Sequence, residues 1–89
     1  MMGYKFNEYT LLKEIGRGAS GSVWLAMSSK GLYYAIKKVS RDDIGDEAYI
    51  REMRGISSYA SLAWYNGLVP VYDFWEDSEA GQFYCVMAL

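Results

Sequence analysis

The chain contains no histidine and only one cysteine, Cys85. Without imidazole, a Cys/His zinc site and any Ser-His-Asp or Cys-His relay are excluded. A lone cysteine inside the apolar run "QFYCVM" predicts a buried, reduced thiol and a cytoplasmic setting. No stretch approaches 18 uncharged apolar residues, so no membrane span is expected in this segment. The opening "MMGYKFNEY" lacks the apolar centre of a signal peptide. A formal charge of −2 leaves no basic excess to coat a nucleic acid. Repeats, low-complexity tracts and linkers are also missing.

What is present describes one small domain. The 89 residues are 52% hydrophobic and 17% aromatic, which excludes disorder and supplies a modest core. Charge is uneven: residues 1–41 hold seven Lys/Arg and two Asp/Glu, residues 42–89 two and nine. The first part therefore tends to attract anions.

Periodicity divides the chain into elements. "YTLLKEIGRG" (9–18) reads as a strand entering glycines, and "GSVWLAMS" (21–28) alternates with the period of a strand. "SSKG" marks a turn before "LYYAIKKV" (32–39), which is rich in β-formers. Asp46 is a candidate helix cap. Tyr49, Met53, Ile56 and Ala60 then form one apolar helical stripe; Ala48, Glu52, Ile56 and Tyr59 form an overlapping one. After "WYNG", "LVPVYDFWED" and "QFYCVMAL" read as two more strands. The expected fold is α+β: a five-stranded antiparallel sheet with one helix, in the order βββαββ.

The motif with chemical content is "GRGASGSV" (16–23). A dinucleotide fold needs G-x-G-x-x-G to open a helix, yet here an alternating strand follows Gly21. A Walker loop needs Lys and Ser/Thr after its last glycine, where this chain has Ser22 and Val23. The remaining option is a β-hairpin whose glycines let backbone N–H groups approach phosphate oxygens without a Cβ between them.

That hairpin resembles the protein-kinase family. "GRGASGSV" fits G-x-G-x-x-G-x-V, and "YAIK" (34–37) is close to V-A-I-K on the next strand. "REM" (51–53) is similar to the run in the family's regulatory helix, and "NGLVPVYDFWED" to the entry into its fourth strand. "QFYCVM" resembles its fifth strand, with Met87 in the gatekeeper position and Ala88-Leu89 at the start of the hinge. The resemblance covers all 89 residues and implies an N-terminal, ATP-binding lobe (residues 1–89), cut at the hinge. By it, Lys37 contacts the α- and β-phosphates, with Glu52 as its partner; Glu47 is the other candidate, only nine residues from Lys37. Ile15, Gly16, Gly18, Ser20 and Gly21 cover the nucleotide. Val23 and Ala35 sandwich the adenine, and Met87 and Leu89 also contact the nucleotide. Ile56 and Val71 join an apolar spine. The chain departs from the pattern in four places. Ala19-Ser20 stand where an aromatic often sits, no histidine precedes Asn66-Gly67, the stretch from Glu52 to Val69 is long, and Ala88 replaces a hinge acid.

The implied parent transfers the γ-phosphoryl of ATP to protein hydroxyls, Ser/Thr by preference. Neither H-R-D nor D-F-G occurs in the 89 residues, so the catalytic Asp and the Mg2+ ligands are expected in a C-terminal lobe. This segment is expected to be inactive alone. It is also expected to self-associate through the face that lobe would cover. The alternative from another class is a pseudokinase or regulatory module that binds nucleotide or a partner without catalysis.

Overall fold

The computed structural model describes residues 4–6, 8–19, 21–55 and 71–89. The strands are β1 (Tyr4–Phe6), β2 (Tyr9–Gly18), β3 (Gly21–Ser28) and β4 (Tyr33–Ser40), then β5 (Val71–Asp77) and β6 (Gln82–Met87). Between β4 and β5 lie a single helical turn, α1 (Arg41–Ile44), and a helix α2 over 46–55. All five expected strands and the helix are present. The additions are β1, which pairs with β2, and the turn α1. The helical stripes reach Met53; Ile56, Tyr59 and Ala60 lie outside the described residues, as do Ser20, Asn66, Gly67, Val69 and Pro70.

One six-stranded sheet has the order β1-β2-β3-β4-β6-β5, and every neighbouring pair is antiparallel. The last strand inserts between β4 and β5. It is covered on both sides, which explains why "FYCV" is continuously apolar rather than alternating: residues 83–86 are all buried. Register shifts lie between Leu11 and Lys13, Glu14 and Gly16, and Val71 and Asp73. Such irregularities sharpen twist. The sheet coils far enough that Tyr9 of β2 stacks on Trp75 of β5, at the far end of the strand order, with ring centroids 5.9 Å apart.

The coil encloses one core. Tyr9, Leu11, Ala26, Ile36, Tyr84 and Val86 are buried there, with Trp24, Tyr34 and Trp75 packed around them. The Trp24 indole donates to Ser22 Oγ at 3.0 Å, so the ring packs with its N–H satisfied. Each fully buried Leu, Ile or Val contributes about 1.5–3 kcal/mol of transfer free energy. The opposite face of β4 and β6 receives α2. Val39, Tyr49 and Phe83 are buried there, flanked by Ile44, Met53 and Phe74.

The helix begins differently from the sequence expectation. Gly45, at φ 88°, separates α1 from α2, and its carbonyl accepts from the Tyr49 N–H at 2.9 Å. Gly45 thus occupies the capping position that the sequence suggested for Asp46. A left-handed backbone is needed there to turn the chain between two helical segments, and glycine adopts it without a Cβ penalty. Asp46 becomes the first helical residue and pairs with Arg41 Nε at 3.3 Å. Its charge still favours the helix N-terminus.

Candidate functional site

The glycine hairpin is formed by β2 and β3, with Gly18 opposite Gly21, Arg17 opposite Ser22 and Gly16 opposite Val23. Its tip is exposed from Ile15 to Ala19. The Arg17 guanidinium is held back along the strand by Glu14, with hydrogen bonds of 2.7 and 3.1 Å.

The three motif glycines are not equivalent. A Cβ at Gly21 would collide with the backbone carbonyl oxygen of Lys38 and press on Val39 Cγ2 at 3.2 Å. Gly21 also has φ 157°. The fold itself therefore requires glycine at this position, where β3 passes close to β4. Among the described residues, nothing lies within 4 Å of where a Cβ would stand at Gly18, and at Gly16 only Val23 Cβ does, at 4.0 Å. Neither has a positive φ. Among the described residues, none gives the fold a reason for glycine at 16 or 18; the space that their missing side chains leave open is on the exposed tip.

Register places the other expected residues together. Lys37 lies opposite Val23 on one side and Cys85 on the other; Ala35 lies opposite Leu25 and Met87. Directly paired residues of an antiparallel sheet share a face, and so do Ala35 and Lys37 through the period of two. Val23, Ala35, Lys37 and Met87 thus occupy one face on two adjacent rungs of the sheet, next to the hairpin. Ile15 is half exposed at the start of the tip, and Leu89 is exposed beyond β6. Ser20 is outside the described residues. Of the two spine residues, Val71 is half-buried opposite Met87, and Ile56 is not described.

Helix α2 lies against the same face. Lys37 Nζ is 3.5 Å from Glu52 Oε1, and both side chains are partly open to solvent, at 26% and 30%. Glu47, the competing candidate, is exposed and lines an outer surface hollow with Ile50, Arg51 and Arg54. Helix geometry explains the choice. Tyr49 must point into the apolar layer, and Glu52, three residues on, follows it toward the sheet. Cys85 is a free, buried thiol beside Lys37; burial pushes its pKa up to about 11, against the opposing pull of the ammonium.

Two residues that matter here were not singled out as site residues. Leu25 shares the rung of Ala35 and is half-buried on the same face. The Tyr49 hydroxyl donates to Glu76 Oε2 at 2.8 Å, linking α2 to β5. Leu25 was accessible from the strand period. The Tyr49–Glu76 bond spans 27 residues and leaves no local signal.

Among the described residues, no three His, Cys, Asp or Glu side chains gather as a metal site. No described helix is long and apolar enough to cross a membrane. No protein-family model and no curated protein matches the chain. Solved structures do match. The kinase domain of Mycobacterium tuberculosis PknI, crystallised as a double mutant, superposes with a TM-score of 0.71 at 24% identity. The match covers 100% of this chain and 35% of that one, so the chain spans about a third of that kinase domain's structure. Sheet, helix and structural neighbour agree: the chain has the fold of the N-terminal lobe of a protein kinase.

Proposed function

We propose that this chain is the ATP-binding lobe of a protein kinase, acting on Ser/Thr hydroxyls of proteins when joined to a catalytic lobe. The observation that carries the reading is the meeting of Lys37 and Glu52 at 3.5 Å on the sheet face beside a hairpin whose Gly16 and Gly18 leave open space. Phosphoryl transfer asks a protein mainly for positioning and charge neutralisation. The backbone N–H groups of the hairpin would meet phosphate oxygens, which a Cβ at 16 or 18 would hold off. Lys37 would neutralise the α- and β-phosphates, and Glu52 would keep its ammonium in line. Val23, Ala35 and Met87 offer an apolar seat for the base, with Ile15 and Leu89 at its rim. The free, buried Cys85 fits a reducing, cytoplasmic compartment.

Neither H-R-D nor D-F-G occurs in the sequence, so these residues alone supply no group to orient a substrate hydroxyl. Magnesium ligands would likewise come from outside them. These 89 residues would supply one wall of a nucleotide pocket, so weak affinity for ATP is expected of them alone. Calorimetric titration with ATP tests this. Millimolar to high-micromolar binding that drops about tenfold or more in Lys37→Met is expected, consistent with loss of a charge-assisted contact. Submicromolar binding, or equal binding by wild type and Lys37→Met, rejects it.

A further inference from the structure

We propose that the Tyr49 hydroxyl, bonded to Glu76, is the contact that sets Glu52 opposite Lys37. The functional side of this inference rests on the nucleotide-site reading; the structural side does not. Among the described residues, helix α2 meets the sheet through two polar contacts one turn apart. Lys37–Glu52 ties it to β4, and Tyr49–Glu76 ties it to β5. They differ in quality. The ion pair spans 3.5 Å with both side chains partly in water, where solvent screens it. The hydroxyl bond is shorter, at 2.8 Å, and its donor is 0% exposed, although its charged acceptor, Glu76, is open to solvent.

Packing alone does not account for the hydroxyl. The Tyr49 ring rests on Phe83, with centroids 5.3 Å apart, and on Val39, and the Arg41 guanidinium carbon lies 4.7 Å over its face. A phenylalanine would satisfy each of those contacts. Apolar packing is non-directional and leaves the helix free to roll or slide. A hydrogen bond fixes direction. Tyr49 and Glu52 are three residues apart and neighbours on the helix surface, so any rotation that breaks the first contact also carries Glu52 away from Lys37. The weaker pair is therefore held in place by the stronger one. Tyr49 is a positioning residue, and Glu76 is its anchor on the sheet.

Amide hydrogen exchange across α2, with nucleotide titrations alongside, separates the possibilities. Tyr49→Phe and Glu76→Ala are each expected to speed α2 exchange about tenfold, as loss of a hydrogen bond to a charged group implies. The double variant should be no faster than either single one. Glu76→Gln, which keeps an acceptor, should restore near wild-type exchange, and Glu52→Gln should change it less than about twofold, as a screened pair implies. Tyr49→Phe should weaken ATP binding in the wild-type background but not in Glu52→Gln. The proposal is overturned if Tyr49→Phe leaves α2 exchange unchanged, or if Glu52→Gln loosens the helix as much. It is overturned equally if the Tyr49→Phe loss adds fully to that of Glu52→Gln. Should Tyr49→Phe fail to fold, Glu76→Ala against Glu76→Gln replaces it: fast exchange in the first alone supports the anchor, and equal exchange in both overturns it. If Lys37→Met leaves ATP binding intact, the nucleotide reading falls, while the exchange rates still test the Tyr49–Glu76 anchor.

Discussion

Alanine at each motif glycine separates what the fold needs from what a ligand needs. At Gly21 the added Cβ would overlap the Lys38 carbonyl oxygen and crowd Val39, both in the interior of β4, on a backbone of φ 157°. That conformation, for a residue with a side chain, costs about 1–3 kcal/mol, and overpacking adds about 1–3 more. Even the low end of that sum, about 2 kcal/mol, lowers the melting temperature of a domain this size by roughly 8–16 °C. At Gly18 the Cβ meets nothing within 4 Å, and at Gly16 it reaches ordinary contact with Val23. There alanine removes unfolded-state entropy without strain and stabilises by about 0.4–1 kcal/mol, a rise of roughly 2–8 °C. Thermal unfolding by circular dichroism reads all three. Gly16→Ala and Gly18→Ala should melt higher yet bind ATP more weakly, because the Cβ enters the space left for phosphate. A several-degree fall in Gly18→Ala, or an unchanged melting point in Gly21→Ala, refutes the reasoning.

Other outcomes follow from the same geometry. Lys37→Met should leave unfolding within about 1 kcal/mol of wild type, as for any partly exposed ion pair, while ATP affinity falls; a large stability loss would show the pair to be structural. Ile36→Ala, at a site with 0% exposure in the inner core, should destabilise by about 2–5 kcal/mol in denaturant titration, and an effect below about 1 kcal/mol would contradict the burial. Burial raises the pKa values of Tyr49 and Tyr84 from 10.0 to about 12 and that of Cys85 from 9.0 to about 11, with the Glu76 bond adding to the rise at Tyr49. Each folded-state value lies above its unfolded one, so the stability they contribute is complete below about pH 9 and is lost as pH rises toward 12; unfolding curves that stay flat from about pH 9 to about pH 12 would contradict this. Cys85 should react with a thiol reagent only after unfolding, and rapid labelling of the native protein would show that it is not buried.

Much of the fold was legible because strand period and glycine punctuation are local. β2 and β3 occupy 9–18 and 21–28 as the alternation and glycines imply. Lys37 and Ala35 share a face for the same reason. β1 escaped notice because three residues are too few to show a period; it exists through pairing with β2. The cap moved from Asp46 to Gly45 because the chain has to turn between α1 and α2, and residue preference does not report that turn.

The amino-acid order alone determined which residues could build a phosphate-facing hairpin, since alternation and the absence of side chains at 16, 18 and 21 are properties of neighbours along the chain. Tertiary structure decided the rest. It distinguished Gly21, packed against β4, from Gly16 and Gly18, which face open space. It chose Glu52 over Glu47 as the neighbour of Lys37, and it joined Tyr49 to Glu76. These pairings depend on the coil of the sheet and the roll of the helix upon it, and both arise from apolar burial summed over strands far apart in sequence.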